Sequence, residues 1–282
     1  MEKRVIPILA IGLLGVSFGA PLARYLPVLA ALTIAFWRMA GASLLLWGYT
    51  GMKGRENLAK PNLKLVSLAG IFLGLHFAFF YSSLKLVPIA NATLFATLAP
   101  VFSLIYERFF LHRKMTRIAL AGLFLAIIGV SYIQGAELQF ASDYTRGHIY
   151  ALTSSLFMAA VLVIGERVRI EITNIAYTKW LYLFAALILL LIILLTKTPV
   201  LFQQKDIVWL LALAVIPTLI GHNSMSYAVK YLSPTIVGSM PLGEPLIASI
   251  YAWLLFGETV GPHMLAGGLI TLTGLGLLSI RR

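Results

Sequence analysis

Residues 174–196 read NIAYTKWLYLFAALILLLIILLT, a run interrupted by a single charge, Lys179. About 20 apolar residues suffice for a helix to cross a bilayer, so this stretch reads as a membrane span. The same reading extends outward in both directions. Apolar runs bounded by charge, Pro and Gly lie at 5–22, 28–50, 65–83, 90–108, 116–134, 147–165, 206–229, 234–257 and 261–280. Pro27, Pro61 and Pro234 stand where a helix begins without losing a needed N–H. Continuous apolar runs argue against a barrel, whose strands alternate over about ten residues, and lipid cannot satisfy an open backbone. The expected fold is an all-α integral membrane protein with ten transmembrane helices.

Composition agrees. Of 282 residues, 60% are hydrophobic and only 11% charged, against roughly 25% charged in a soluble domain. That excludes an ordinary water-soluble enzyme and leaves no length for a large extramembrane domain. The absence of Cys removes disulfides, thiolate catalysis and Cys-ligated metals. After Glu2-Lys3-Arg4 the first run reaches Leu22 without a charge, and Pro21 sits where a signal peptide would be cut, so a retained first helix is expected.

The net charge of +12 is explained by topology. With the N-terminus inside, Lys3, Arg4, Lys53, Arg55, Lys60, Lys64, Arg108, Arg113, Lys114, Arg117, Arg167, Arg169, Lys230, Arg281 and Arg282 fall on the cytoplasmic side. Arg24, Lys85, Arg146, Lys197 and Lys205 fall outside, while Arg38 and Lys179 lie within spans. This bias predicts an N-in, C-in orientation, with the cations meeting anionic headgroups. No nucleic-acid motif competes with it, and no nucleic-acid partner is expected.

A shift of 145 residues lays the chain on itself. Lys85 meets Lys230, Pro100 meets Pro245, Ile105-Tyr106 meets Ile250-Tyr251, Leu120-Ala121-Gly122 meets Leu265-Ala266-Gly267, and Gly129 meets Gly274. Five spans per copy make the second cross in the opposite sense: Arg113, Lys114 and Arg117 occupy one loop, whereas its partner at 257–263 holds no Lys or Arg. The expected organisation is two inverted repeats, 1–134 and 147–282, joined by 135–146. Such repeats give oppositely facing conformations around one central site, the architecture of alternating access.

The second half carries Gly221-His222-Asn223, Tyr227 through Pro234, Gly243-Glu244-Pro245, Leu255-Phe256-Gly257-Glu258 and Gly267. The first carries Phe36-Trp37-Arg38, Leu86-Val87-Pro88, Leu98-Ala99-Pro100, Gly122 and Gly129. In these the chain resembles the EamA-type transporters of the drug/metabolite transporter superfamily. The resemblance implies ten helices in two inverted five-helix repeats, a central substrate cavity, and export of metabolites, amino acids or drugs. Two positions depart from it. Arg113 stands where the first repeat usually has the Glu seen here as Glu258, and Phe18-Gly19 replaces the usual Trp-Gly.

Charged and polar residues inside spans are expensive and so mark sites or structural pairings. Glu244, between Pro241 and Pro245, reads either as a site for a substrate amine or a proton, or as a satisfier of the disrupted backbone. Arg38 reads either as a fork for a substrate carboxylate or as a partner of helix carbonyls. Lys179 reads as a snorkelling interface residue, and Trp37 and Trp180 as packing or interface anchors. His76, Tyr81, Asn91, Thr93, His222, Asn223, Ser226 and Tyr227 form a polar set expected to line the cavity. His76 and His222, like Tyr81 and Tyr227, differ by 146, one more than the repeat. Gly15-xxx-Gly19 and Gly70-xxx-Gly74 read as packing motifs.

No Gly-x-x-x-x-Gly-Lys-Ser/Thr loop is present, which excludes ATP hydrolysis, and neither His-Glu-x-x-His nor Gly-x-Ser-x-Gly occurs. The expected protein is a monomeric, cofactor-free, multi-pass transporter of the cytoplasmic membrane that exports small metabolites such as amino acids. Proton-coupled multidrug efflux is the alternative, and a membrane-embedded lipid enzyme ranks behind both.

Overall fold

The computed structural model describes residues 5–53, 60–135 and 140–279, and among them every regular element is helical. Glu2, Lys3, Arg4, Arg55, Arg281 and Arg282, which enter the expected topology, lie outside the described residues. In chain order the helices are α1 (Val5–Ser17), α2 (Gly19–Ala23), α3 (Ala31–Lys53), α4 (Lys60–Ser83), α5 (Ile89–Ala96), α6 (Ala99–Phe109) and α7 (Arg117–Gln134). They continue with α8 (Thr145–Arg169), α9 (Asn174–Leu195), α10 (Ile207–Leu213), α11 (Asn223–Ala228), α12 (Pro234–Ser239), α13 (Glu244–Phe256) and α14 (Pro262–Ser279). Among the described residues nine helical segments are long and apolar enough to cross a membrane. The remaining expected span, 90–108, is two helices, α5 and α6, separated at Thr97 and Leu98.

Three interruptions shape the interior. Pro100 stands in the first turn of α6 and has no N–H for the Ala96 carbonyl four residues back, so α5 does not continue into α6. Met240–Gly243 forms a 3₁₀ turn, with Pro241 inside it, between α12 and α13. Ala214–His222 is π-helical and contains Pro217. Proline has no N–H for the carbonyl four residues back, and the freed Leu213 carbonyl accepts instead from Thr218 Oγ1 at 2.9 Å. A π turn holds one residue more than an α turn, and His222 closes this one.

Several features recur at the 145-residue spacing. The α5/α6 break faces the α12/α13 turn in register, Ala99 with Glu244. His112 and Gly257 both take left-handed backbone, φ 52 and 70. Each sits in the same closure: Arg113 N–H donates to Glu107 O at 2.9 Å, and Glu258 N–H to Ala252 O at 3.5 Å. Arg113 pairs with Glu166 at 2.6 Å, and Glu258 pairs with Arg24. The sign swap at 113 is therefore matched by a sign swap in its partner, and each loop remains tied to the end of another helix.

Small residues bring the helices together. A Cβ on Gly122 would stand 2.7 Å from Gly274 O, and one on Gly267 would stand 2.8 Å from Gly129 O, so α7 and α14 touch backbone to backbone. Gly70 and Gly74 admit Leu181 and Ala185 of α9, and Gly15 admits the Gly221 backbone. Lipid tails are as apolar as Leu, so close packing of this kind replaces the hydrophobic drive between helices. Glu107, buried on α6, joins the two halves, its Oε1 accepting from Thr235 N–H and Oγ1 at 2.8 Å each.

The paired left-handed turns give a direct test. A non-glycine residue there costs roughly 1–2 kcal/mol, and a Cβ at Gly257 meets no other atom. His112→Gly is expected to raise the detergent-solubilised melting temperature and Gly257→Ala to lower it, each by about 1 kcal/mol in stability.

Candidate functional site

The π turn and the α12/α13 junction place polar groups deep among the helices. Arg38 of α3 is 7% exposed. Its Nε donates to Thr218 Oγ1 at 3.4 Å, and its guanidinium lies 5.4 Å from the centre of the Phe77 ring. The same hydroxyl covers the Leu213 carbonyl, so Pro217 positions the arginine through one side chain. Tyr182 OH donates to the Thr218 carbonyl at 3.4 Å and closes the other side.

His76, His222 and Glu244 all lie within the field of Arg38. The His76 Nδ1 is 2.9 Å from the Ser154 carbonyl oxygen. The Ser154 hydroxyl lies at the same distance, 2.9 Å from Nδ1, so the ring has both an acceptor and a donor to meet there. Phe77 lies among these groups, with ring centroids 5.0 Å from His76, 5.9 Å from His222 and 6.3 Å from Tyr81. His76, His222 and Glu244 are half-buried. Arg38 and Glu244 do not form an ion pair with each other. Among the described residues the ion pairs are Arg24–Glu258 and Arg113–Glu166.

The other expected site residues lie elsewhere. The Asn91 amide donates to His148 Nε2 at 2.9 Å, and Thr93 Oγ1 donates to Gln134 Oε1 at 3.3 Å, both where α5 meets the start of α8 and the end of α7. Asn223 accepts from the Asn174 amide at 2.8 Å, at the start of α9. The Ser226 carbonyl accepts from Arg169 Nε at 3.0 Å, and Tyr227, whose ring is 5.2 Å from that of Tyr231, stands in the field of Arg169. The polar set thus divides into three groups, of which Arg38, His76, His222 and Glu244, with Tyr81 through Phe77, come together at one place in the bundle.

Two cations depart from expectation. Arg169, counted as a loop residue, ends α8 at 3% exposure and is held by the Ser226 and Ile172 carbonyls. Lys179, expected to snorkel, is 2% exposed, with Nζ 4.6 Å from the centre of the Trp47 ring. An aromatic face meets its charge in place of the interface. Trp37 donates to the Val200 carbonyl at 2.9 Å and so anchors the segment after α9.

Comparison with known proteins follows from this architecture. A probable amino-acid metabolite efflux pump of Salmonella typhimurium is 25% identical, covering 77% of this chain and 78% of its own. The pseudopaline exporter CntI of Pseudomonas aeruginosa is 22% identical, covering 86% and 84%. A solved crystal structure superposes with a TM-score of 0.85 at 17% identity, over 99% of this chain and 98% of that one, which establishes likeness of fold. The description "EamA-like transporter family" matches residues 4–134 and again 145–280. These two matches take in nearly the whole of a multi-pass helical membrane chain, and the protein belongs to the EamA-like transporter family.

Proposed function

We propose that this protein is a secondary transporter of the cytoplasmic membrane that exports small zwitterionic metabolites of the amino-acid class. The observation that carries this reading is the pair Arg38 and Glu244, a guanidinium and a carboxyl that lie in one another's field deep among the helices without forming an ion pair. An α-carboxylate suits the planar fork of Arg38, and an α-ammonium suits Glu244, with the His76 and His222 rings and Phe77 beside them. The names of the Salmonella and Pseudomonas relatives support export of such molecules.

On this reading the chain forms ten spans, counting α5 with α6 as one, in two inverted repeats with both termini inside. Turnover proceeds by alternating access around the central space. The recurrence of the broken helices, the left-handed turns and the α7/α14 contacts at one spacing supports the repeat.

The test is flux in proteoliposomes loaded with radiolabelled amino acids, with and without a pH gradient. Arg38→Lys, which keeps the charge and loses the fork, is expected to raise KM about tenfold, the equivalent of about 1.4 kcal/mol. Glu244→Gln is expected to lower kcat/KM by at least as much, with elution as folded protein unchanged. Wild-type kinetics in both variants, or gradient-driven dye flux without amino-acid flux, would overturn the assignment. The orientation is checked separately, because the chain has no Cys of its own. On intact cells a membrane-impermeant maleimide is expected to label Lys197→Cys and spare Lys114→Cys; the reverse pattern inverts the topology.

A further inference from the structure

A cleft of about 450 Å³ lies between α1, α12 and α14. Leu232, just before α12, Ile236 of α12, and Leu275 and Ser279 of α14 line it opposite Leu9 and Leu13 of α1. Subtracting 145 from those four wall positions gives Val87, Asn91, Val130 and Gln134. These line the junction of α5 and α7 with α8, and there the molecule is shut. All four are buried, Asn91 completely. Asn91 is hydrogen-bonded to His148, Thr93 to Gln134, and the Phe95 ring centre is 4.9 Å from that of His148. A Cβ at Gly147 would stand 3.3 Å from Val87 Cβ.

In the same register α5 is packed onto α8, whereas the cleft separates α12 from α1. On its other side α12 packs on α8, where a Cβ at Gly238 would stand 3.0 Å from Leu162 Cδ1. We propose that the two seams are the two gates of the transporter, that this structure is the conformer open on the side where α1 begins, and that Asn91, Thr93, Gln134 and His148 form the latch of the closed gate. In the opposite conformer α12 packs onto α1 as α5 now packs onto α8, and the latch parts. This deepens the transport reading and rests on it. It also gives Asn91 and Thr93 a role that does not require them to touch substrate.

The energetics fit a two-state element. Packed helix seams switch between discrete arrangements rather than deforming continuously. The latch is polar, so its donors and acceptors exchange partners for water when it opens, and the net loss per hydrogen bond is small. The cleft is lined mainly by Leu, Ile and Met, and its closure buries apolar surface.

The test exploits the Cys-free background. The 3.3 Å separation at 87 and 147 is close to the Cβ spacing of a disulfide, about 3.5–4.5 Å. The double variant Val87→Cys with Gly147→Cys is expected to cross-link under mild oxidant and lose transport, with recovery on reduction. In single variants, N-ethylmaleimide is expected to react at Ile236→Cys about tenfold faster than at its counterpart Asn91→Cys, since the latter is reached only by opening of the latch. Adding Leu94→Cys to the double variant reports that opening: its slow labelling stops on oxidation and returns on reduction. Equal reactivity at 91 and 236, undiminished transport in the cross-linked protein, or labelling at 94 that ignores the cross-link would each overturn the gate. Failure of the reduced protein to move any probe, with the labelling pattern as expected, would instead strike the substrate assignment and leave the gate standing.

Discussion

In hydrocarbon a backbone carbonyl or amide without a partner costs several kcal/mol, and that constraint governs where this chain departs from regular helix. Each departure is compensated locally. The carbonyl freed by Pro217 is taken by Thr218. The N-terminus of α12 is met by Ser233 Oγ and by the buried Glu107 carboxylate. The left-handed closures at His112 and Gly257 return the last carbonyls of α6 and α13 to amides just beyond them. Irregular backbone is tolerated at membrane depth only inside the protein, and polar side chains gather at the same places for the same reason. Arg38 leans on the π turn and Glu244 opens the helix after the 3₁₀ turn.

Glycine supplies the second half of the architecture. Where α7 meets α14, the two helices approach until a single added carbon would collide with backbone on the other side. Such contacts are rigid because nothing flexible lies between them. The α1, α12 and α14 junction has no equivalent interlock, and it is there that the cleft opens. A bundle that must change shape while remaining assembled needs both kinds of junction.

The spans were legible because burial in lipid leaves few charges to confuse their ends; the observed bounds of α7, α9 and α14 fall within a residue or two of those read from hydropathy. The break at Thr97 and Leu98 was not, since hydropathy carries on across it and Pro100 alone marks it. Arg38, His76, His222 and Glu244 stand out because such groups in apolar runs are costly. Sequence polarity indicates that a side chain avoids lipid, but not which interior junction it reaches, so Asn91, Thr93, Asn223, Ser226 and Tyr227 read alike with those four although the structure places them at other junctions. Phe77 and Thr218 had no signal beyond position, although a proline inside an apolar run, Pro217, pointed to the irregular backbone that holds Thr218. Arg169 and Lys179 sit near span ends, where hydropathy cannot separate a cation capping carbonyls or a ring from one reaching water.

An arginine and a carboxyl this deep in a bundle would ordinarily draw together. Here each is held back by a substitute. The arginine lies over Phe77 and bonds to Thr218, and Glu244 meets the positive end of the α13 dipole in its first turn. Neither contact uses up the hydrogen-bonding capacity of its group. The Thr218 hydroxyl is fixed to the Leu213 carbonyl and so offers the guanidinium a fixed acceptor. The helix defect at Pro217 thereby helps to set where the arginine lies. On the proposed reading, the same defect keeps the site available to a substrate.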